Sequence, residues 1–451
     1  MKKVITYGTF DMLHQGHINL LRRAKELGDY LIVGVTSENY DRDRGKLNVR
    51  NSLMERIESV KQTGYADEVI IEDYVGQKID DIQKYGIDIF AIGSDWVGKF
   101  DYLKEYCEVV YLERTKGISS TQLRNSSQTY YDCGIVGSGR IANRFIPESK
   151  YVSGMNVVGV FNPHKASADA FCEKHSLLFA CSDSYDEFLS KVNVVYVATP
   201  HTLHYEYVRK ALLAGKHVLC EKPITLSKAE TAELYKIARK NKLVLLEALK
   251  TAYCPGFRHL ISLVKSGVIG KVSDVESTFT KLVPNNTREL SADKGGGSMT
   301  ELATYTLLPI IKIFGNDYKK IHFYSSIENE VDTFTKAMMV YPGGTASFKV
   351  GLGTKSEGEL IISGTKGYAY VPAPWWKTSY FEIRFEDVNL NKKYFYNFEG
   401  DGLRYEIEEF ISLINRKQAE SYCFPAKESC AISKIIEGFR KRENVTCLET
   451  R

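Results

Sequence analysis

Three short segments of the sequence contain residue types that bind phosphate groups. In the first, His14 and His17 flank a Gln-Gly pair at the start of an expected helix, so both imidazoles and the helix amides can converge on one anion. The second, residues 114–121, and the third, residues 137–142, each have the composition of a phosphate-binding turn that leads into a helix. Donors placed in this way stabilise charge on a phosphoryl group under attack without forming a covalent bond to it.

The spacing of His14 and His17 also suits zinc, or two unrelated surface residues, and two histidines alone leave these alternatives about even. The surroundings favour a phosphate site, because a Gly-Thr-Phe-Asp turn precedes the pair and no cluster of Cys or carboxylate partners follows it. Nine cysteines are scattered along the chain with no Cys-x-x-Cys pair, which argues against a zinc site and a disulfide framework and suits a reducing cytoplasm.

The length and composition of the chain predict an ordinary globular protein of two or three domains. It has 451 residues, of which 43% are hydrophobic and 26% are charged. The net charge of +4 is small beside 60 basic and 56 acidic side chains, so it gives no general reason to expect nucleic acid or an anionic membrane as a partner. Neither a signal peptide nor an apolar stretch long enough to cross a bilayer is evident. We therefore expect a cytoplasmic protein that binds neither nucleic acid nor membrane.

The elements of the first part alternate between strands and helices, which predicts a parallel, doubly wound α/β sheet. An amphipathic helix is expected at Ile18–Leu27. Sites on such sheets gather at the carboxyl ends of strands, where Gly8, Gly93 and Arg114 are expected. The expected strands are Lys3–Tyr7, Tyr30–Val35, Glu68–Ile71, Ile89–Ile92 and Val109–Leu112.

Four motifs give residues 1–126 a close resemblance to the glycerol-3-phosphate cytidylyltransferases, over essentially the whole length of those enzymes. They are Tyr7–Asp11, His14–His17, Gly93–Trp96 and Arg114–Thr121. The resemblance implies a Rossmann-like nucleotidyltransferase domain that holds the triphosphate of CTP. The residues it implies as CTP ligands are Gly8, Thr9, Phe10, Asp11, His14, His17, Gly93, Asp95, Trp96, Arg114, Thr115, Gly117, Ile118, Ser119, Ser120 and Thr121.

The same resemblance implies a role for several of these side chains. His14 and His17 would stabilise the transition state at the α-phosphate. Arg114 and the hydroxyls of residues 119–121 would hold the leaving pyrophosphate, and Asp95 and Trp96 would lie near the cytosine or ribose. Lys46 would lie near the incoming phosphate, with Arg56 a weaker candidate for that role. A Mg²⁺ ion held mainly by phosphate oxygens is implied, with Asp11 a candidate ligand.

The acceptor of the cytidylyl group is less constrained by the sequence. The loop Arg42–Leu47 contains three cations, which suits a phosphorylated acceptor but equally suits a solvated charged loop. The size of the acceptor cannot be inferred from this loop.

The segment Gly137-Ser138-Gly139-Arg140-Ile141-Ala142 has the pattern of a dinucleotide-binding turn. It follows an expected strand at Tyr131–Val136 and precedes another at Asn156–Val160, so the βαβ context of this pattern is met. Asn162 stands where a carboxylate would bind the ribose hydroxyls of NAD, and His164 and Lys165 are close by. We therefore expect NADP(H) rather than NAD(H).

Further motifs, in a fixed order, give about 320 residues of the second part a resemblance to the Gfo/Idh/MocA oxidoreductase family. They are the Thr-Pro-His segment 199–201, Glu221-Lys222-Pro223, Glu247-Ala248 and the glycine-rich segment 295–305. The resemblance implies that the cofactor contacts Gly137, Ser138, Gly139, Arg140, Ile141, Asn162, His164, Lys165, Thr199, Pro200, His201, His204, Glu221 and Lys222.

Lys222 is the expected proton donor to the alkoxide that forms on the substrate, since burial and nearby positive charge can lower the pKa of a lysine. Tyr305 stands where the family places a His or Tyr acid, so a Lys–Tyr pair is expected. Glu301 stands where the family usually has Asp, which leaves the substrate geometry open. His201 and His204 are candidates to line the nicotinamide pocket, although His204 could equally be a satisfied residue at a helix start.

From about residue 272 the pattern changes to β-type alternation, which predicts an α+β domain with an open, mainly antiparallel sheet. In this family the exposed face of that sheet commonly makes a dimer contact, so we expect a homodimer or a higher homo-oligomer. Candidate anchors are Phe348, Trp375, Trp376 and Phe385. Helices are expected at Arg404–Ile414 and Lys427–Arg440. The expected strands are Val272–Leu282, Asp317–Ser326, Thr333–Val340, Ala346–Leu352, Glu359–Gly364 and Tyr380–Phe385.

Together these features predict a bifunctional enzyme with a cytidylyltransferase domain at 1–126, a linker at 127–131, a Rossmann NAD(P)-binding domain at 132–250 and an α+β domain at 251–451. The second half would reduce a ketose or aldose phosphate with NAD(P)H. The first half would then join the alditol phosphate to CTP, giving a CDP-alditol for a capsule or teichoic-acid-type polymer. Reduction of a CDP-activated sugar, or a non-catalytic oxidoreductase half that serves in oligomerisation, are the alternatives.

Overall fold

The computed structural model of the chain divides into two compact units, Met1–Thr129 and Tyr130–Arg451. It describes residues 1–13, 15–37, 40–41, 49, 51–74, 76–113, 130–284, 287–398 and 400–449, with the side chains of residues 15 and 95 left aside. His14, Lys46 and the segment Arg114–Thr121 therefore lie outside the described residues.

The first unit contains a five-stranded parallel sheet in the order β3-β2-β1-β4-β5. Its strands are nearly continuous apolar runs, as expected for a parallel sheet that is covered on both faces. The helix after β1 begins at Gln15, three residues earlier than its apolar stripe predicts. The predicted α/β arrangement is confirmed. The strands are β1 Lys3–Gly8, β2 Tyr30–Thr36, β3 Glu68–Glu72, β4 Ile89–Gly93 and β5 Glu108–Leu112, and the described helices are α1 Gln15–Lys25, α2 Leu53–Gln62 and α3 Gln77–Tyr85.

The second unit begins with a six-stranded parallel sheet in the order β11-β10-β9-β6-β7-β8. The chain reverses its direction of winding between β6 and β9, and the carboxyl ends of strands at such a point form the usual ligand crevice. The strands are β6 Tyr131–Val136, β7 Met155–Phe161, β8 Phe179–Cys181, β9 Val194–Val197, β10 His217–Glu221 and β11 Leu245–Ala248. The helices between them are α4 Arg140–Ser149, α5 Lys165–His175, α6 Tyr185–Ser190, α7 His204–Leu213 and α8 Lys228–Lys240.

The remaining part of the second unit is a nine-stranded sheet with helices packed against it. Six of its strand pairs are antiparallel, and only β12 with β15 and β13 with β20 run parallel, so the predicted mainly antiparallel sheet is confirmed. Its strands are β12 Val272–Thr280, β13 Lys320–Glu328, β14 Val331–Tyr341, β15 Gly344–Gly351, β16 Leu360–Gly364, β17 Gly367–Val371, β18 Tyr380–Phe385, β19 Lys392–Phe395 and β20 Val445–Cys447. The helices are α9 Pro255–Lys265, α10 Ser298–Phe314, α11 Leu403–Arg416 and α12 Ala426–Arg440.

Helix α10 is apolar on almost every side and is buried between the sheet and α12, which explains why it shows no amphipathic stripe. Its first turn carries Glu301 and its second turn carries Tyr305. A buried helix holds such side chains firmly, because packing restricts their rotamers.

Two of the aromatic residues expected on the exposed face of the sheet are instead in the core. Phe348 and Trp375 are fully buried, and the indole N–H of Trp375 donates to the carbonyl of Thr278 at 2.8 Å. Trp376 is half-buried and stacks on Phe279 with ring centroids 3.6 Å apart. The prediction that Phe348 and Trp375 anchor a dimer contact is therefore wrong. Apolar residues in such a pattern indicate the buried face of the sheet as readily as an exposed face that binds a partner.

Within the described ranges, no helix combines the length and the apolar character that a bilayer crossing requires.

Candidate functional site

The turn after β6 is shaped to receive a phosphate group. Gly137 has a φ of 98°, and a Cβ atom there would lie 2.7 Å from the carbonyl oxygen of Ala198, so only glycine fits. Beside it, a Cβ on Gly139 would meet no atom within 4 Å, and α4 begins at the next residue. Open space beside a helix N-terminus fits the pyrophosphate of a dinucleotide. Arg140 is exposed and Ile141 is half-buried on this first turn.

The end of β7 lies beside this turn, as a dinucleotide site requires. The Asn162 side-chain amide donates to the Ser138 hydroxyl at 2.8 Å, and its oxygen accepts from the backbone N–H of His164 at 2.9 Å. Lys165 is exposed and pairs with Asp169 at 2.9 Å. No carboxylate stands at the position of Asn162, and a neighbouring lysine and histidine are exposed, so the residues present fit a ribose that carries a 2′-phosphate.

The carboxylate of Glu301 is a hub at the start of α10. Its Oε1 atom lies 2.9 Å from Nε2 of His201 and 2.8 Å from a guanidinium nitrogen of Arg288. The Lys222 ammonium donates to the Glu301 backbone carbonyl at 3.1 Å. Three segments far apart in the chain thus meet at one residue, and sequence reasoning found two of them. Arg288 was missed, because it lies in a short 3₁₀ turn, Arg288–Leu290, with no motif around it.

The charges around Glu301 set its protonation. Burial alone would raise its pKa, but the hydrogen bond with His201 and the positive charges of Lys222 and Arg288 outweigh burial and hold the pKa well below its usual range. Burial lowers the pKa of His201, and the neighbouring carboxylate only partly offsets this. Glu301 is therefore a carboxylate at neutral pH and His201 a neutral imidazole, so this pair binds and orients rather than exchanging a proton.

Lys222 and Tyr305 stand together, as the family resemblance implied. The ammonium of Lys222 lies 5.6 Å from the centroid of the Tyr305 ring, and Lys222 is half-buried. Burial, followed by the negative charge of Glu221, raises the pKa of Tyr305 well above its usual range. Tyr305 therefore keeps its proton and can donate a hydrogen bond to a substrate oxygen.

Two buried acids, Glu221 and Glu406, interact electrostatically with Lys222. Glu221 accepts a hydrogen bond from the Tyr196 hydroxyl at 2.7 Å, and burial raises its pKa. Glu406, on α11, is fully buried, and neither of its carboxyl oxygens has a hydrogen-bond partner among the described residues. Burial and the charge of Glu221 raise the pKa of Glu406 well above its usual range, so its carboxyl is protonated. The sequence offered no signal for Glu406, which sits in an ordinary amphipathic pattern.

His204 is a structural residue in this arrangement. It is fully buried, with Nδ1 2.9 Å from the carbonyl oxygen of Pro223 and Nε2 3.0 Å from that of Thr199. Burial lowers the pKa of His204 to about 3, so its ring is neutral and donates to only one of the two carbonyls. The candidate role for His204 in the nicotinamide pocket is thus not supported; the ring ties the half-buried Thr199–Pro200 turn to the Lys222 segment.

The carboxyl end of β1 in the first unit is held by buried ionic contacts. The Thr9 hydroxyl donates to Asp41 at 2.9 Å, and Arg56 pairs with Asp41 at 3.3 Å and donates to the carbonyl of Thr9 at 2.9 Å. The Arg56 side chain is fully buried. The expectation that Arg56 receives an incoming phosphate is therefore wrong, because its guanidinium is used to fix the β1 loop.

The remaining described residues of the expected CTP site surround that loop. The Phe10 ring packs edge-on against His17, with centroids 5.5 Å apart, and lies beneath Gly8. Asp11 is buried and accepts from the backbone N–H of Asn51 at 3.0 Å. At the end of β4, Gly93 leads into a short turn in which Trp96 is half-buried against the core.

In the described part of the chain, no three His, Cys, Asp or Glu side chains gather closely enough to hold a metal ion. Asp11 is the described carboxylate nearest in sequence to the two histidines, and it is engaged in the loop.

Three family models match this chain, one in the first unit and two in the second. The model described as Cytidylyltransferase-like matches residues 5–126. The model of the oxidoreductase family with an NAD-binding Rossmann fold matches residues 131–249, and the GFO/IDH/MocA C-terminal domain matches residues 257–370.

Proteins similar to the chain divide in the same way. Glycerol-3-phosphate cytidylyltransferase of Bacillus spizizenii is 55% identical over 124 residues, which are 28% of this chain and 95% of that enzyme. Trans-1,2-dihydrobenzene-1,2-diol dehydrogenase of Sus scrofa is 30% identical over 332 residues, which are 69% of this chain and 97% of that enzyme. KijD10, a 3-ketoreductase from Actinomadura kijaniata solved with NADP and TDP-benzene, has the same fold as the second unit, with a TM-score of 0.64 and 21% sequence identity. The match covers 71% of this chain and 100% of KijD10.

Proposed function

The chain belongs to two enzyme families, the cytidylyltransferases in its first unit and the Gfo/Idh/MocA oxidoreductases in its second, and we propose that it joins their reactions to make a CDP-alditol. The second unit reduces the carbonyl of a ketose or aldose phosphate. The first unit transfers the cytidylyl group of CTP to the resulting alditol phosphate and releases pyrophosphate. The reason for this order is chemical: a cytidylyltransferase of this family requires an alcohol phosphate, and reduction of a sugar phosphate supplies one.

The observation that carries the reductase assignment is the convergence of Lys222, Tyr305 and Glu301 at the carboxyl end of the Rossmann sheet. When bound, the reduced nicotinamide supplies the hydride. The Lys222 ammonium donates a proton to the oxygen that becomes an alkoxide, and the Tyr305 hydroxyl, which stays protonated, orients that oxygen. The Glu301 carboxylate fixes the start of α10 and hence the position of both donors.

The cytidylyl transfer rests on the family of the first unit and on its β1 loop. His17 lies against Phe10 at the start of α1, where it can contact the α-phosphate together with the helix amides. His14, Lys46 and residues 114–121 remain proposed partners, with Mg²⁺ held by phosphate oxygens. We further propose NADP(H) as cofactor, because Asn162 replaces a carboxylate beside the exposed Lys165 and His164.

The proposal is tested by incubating the full chain with CTP, Mg²⁺, NADPH and a panel of ketose and aldose phosphates of three to six carbons. A CDP-alditol and pyrophosphate are expected from one of them, with NADPH consumed in equal amount. If the two half-reactions proceed only on unrelated compounds, the coupling is refuted. If NADPH is consumed only when a CDP-sugar is supplied, the order is the reverse of the one proposed.

Two variants separate the half-reactions. Lys222→Met is expected to lower NADPH oxidation about 100- to 10,000-fold, the usual contribution of a proton donor, while cytidylyl transfer continues. His17→Ala is expected to do the reverse. Lys236→Met, which removes an exposed lysine of α8, is the control. Loss of both activities in either single variant would contradict two separate sites.

A further inference from the structure

Contacts and neighbours along the chain join Lys222 and Tyr305 to a closed series of residues, which we call the rim. On one side the Tyr305 ring packs edge-on against the Phe279 ring, with centroids 5.2 Å apart, and Phe279 stacks on Trp376. Lys377, the next residue, pairs with Asp401 at 3.5 Å. This half of the rim is therefore aromatic near the proton donors and charged farther away.

The other side of the rim is built from α4 and the turn before α10. Asp401 lies 3.7 Å from Arg144. One helical turn earlier, Arg140 pairs with Glu289 at 2.8 Å, and these two arginines share a face of α4 because they are four residues apart. Arg288, the first residue of the turn that contains Glu289, pairs with Glu301 and completes the rim.

Lys281 lies close enough to this rim for its charge to interact with those of Arg140 and Glu289. It follows the last residue of β12 and stands two residues after Phe279, with its backbone N–H donating to the carbonyl of Gly351 at 2.8 Å. If the alternation of β12 is extended by one residue, the exposed side chain of Lys281 falls on the same face as the Phe279 ring that contacts Tyr305. Its ammonium has no hydrogen bond or ion pair among the described residues. Partial loss of hydration, followed by the charge of Arg140, lowers the pKa of Lys281, with Arg144 adding to the effect and Glu289 and Glu301 opposing it.

The charges on this rim are unbalanced toward the positive. The cations are Arg140, Arg144, Lys222, Lys281, Arg288 and Lys377, and the carboxylates that face them are Glu289, Glu301 and Asp401. An excess of cations over carboxylates along the rim favours an anionic ligand. Arg140 and Arg144 can together contact several oxygens of one anionic group.

We propose that Lys281 and Arg144 bind the phosphate group of the sugar phosphate, at the end of the substrate opposite the carbonyl that Lys222 protonates. This inference rests on the proposed function, which makes a sugar phosphate the substrate. It identifies Lys281 as a specificity-determining residue that distinguishes phosphorylated from free ketoses. Arg140, which lies on the cofactor turn and pairs with Glu289, borders both this position and the expected pyrophosphate position.

The experiment compares Lys281→Met, Lys281→Arg and the wild-type full chain. For each, kcat/KM is measured with a ketose phosphate and with the matching free ketose, and the Kd of NADPH is measured by fluorescence titration. Losing one charge-assisted contact is expected to lower the preference for the phosphorylated ketose about 10- to 100-fold, with Arg restoring most of it. Lys392→Met, in the exposed edge strand β19, is the control and is expected to keep the wild-type preference.

Each other outcome is decisive. An unchanged preference in Lys281→Met overturns the inference, and so does a weakened NADPH Kd with unchanged preference, which would assign Lys281 to a cofactor phosphate. If the wild-type chain reduces free ketoses but no sugar phosphate, the proposed function fails and this inference fails with it. If the wild type reduces a sugar phosphate and the variant does so equally well, only the inference fails.

Discussion

The ion pair between Glu148 and Arg404 should be a principal tie between the Rossmann sheet and the C-terminal helices of the second unit. The Glu148 carboxylate accepts from two nitrogens of the Arg404 guanidinium, at 2.8 Å and 3.2 Å, and from the Arg404 backbone N–H at 3.2 Å. Both side chains are less than 10% exposed. The guanidinium also lies 4.1 Å from the ring of Tyr151. The perturbation that isolates the charge is Glu148→Gln, which keeps the shape of the side chain.

The expected loss follows from this geometry. Removing one partner of a buried pair costs about 3–5 kcal/mol, because the other charge is left buried without compensation. The amide oxygen of Gln can still accept one of the hydrogen bonds and the Tyr151 ring still faces the guanidinium, so the lower end, about 3 kcal/mol, is expected. For a unit of this size that corresponds to a fall in Tm of about 6 °C, at about 2 °C per kcal/mol.

The assay is thermal unfolding of the full chain at neutral pH, measured by calorimetry. Glu187→Gln is the matched control, since its pair with Lys191 is exposed and such i,i+4 pairs contribute about 0.5 kcal/mol or less. If Glu148→Gln lowers the Tm of the second unit no more than Glu187→Gln does, the argument from buried charge is refuted.

The same variant has a defined dependence on pH. Burial alone would raise the pKa of Glu148, but Arg404 outweighs burial and holds the pKa below its ordinary value of 4.5. A lowered folded-state pKa contributes stability that is present above the unfolded-state pKa and is lost as the pH falls through the folded-state pKa. The gap between wild type and Glu148→Gln should therefore be constant above pH 4.5 and narrow below it. A gap that widens on acidification would contradict this sign.

Three further predictions concern single residues. Gly137→Ala places a methyl group 2.7 Å from the Ala198 carbonyl oxygen, so NADPH titration should show binding weakened at least about 10-fold while cytidylyl transfer persists. Burial raises the pKa of Glu247 to about 7, so the stability that its protonated form contributes at acid pH is lost as the pH rises through 7. Between pH 5 and pH 8, the Tm of Glu247→Gln should therefore fall less than the Tm of the wild type. Gly34→Ala places a methyl group 2.2 Å from the Tyr7 ring and should lower the free energy of unfolding of the first unit by about 1–3 kcal/mol. The measurement is a denaturant titration, in which an unchanged midpoint would show that the ring can move aside.

Much of the fold could be predicted because it depends on short-range patterns. Apolar runs between helical stripes predicted both parallel sheets, and alternation predicted the nine-stranded sheet, with most strand ends within one or two residues. Tyr380–Phe385 was predicted with the bounds that the structure has. The segment 295–305, which contains the start of helix α10, was recognised as a family motif and not by periodicity, since a helix buried on nearly every side has no polar stripe.

The errors share one physical cause, which is that burial depends on neighbours distant in the chain. Arg56 resembles a phosphate ligand in a list of cations, but Asp41 and the Thr9 carbonyl enclose it. Trp375 and Phe348 resemble surface anchors, yet both are core residues. Nothing in the local sequence distinguishes these cases.

The sequence by itself determined the two types of enzyme. Each motif places residues that bind a phosphate group or donate a proton within a few positions of one another. Only the tertiary structure decided which buried charges of the second unit are paired. Glu301 meets His201 across 100 residues, and Glu148 meets Arg404 across 256 residues. The partners of a buried charge are chosen by packing, and packing brings together segments whose separation along the chain carries no pattern.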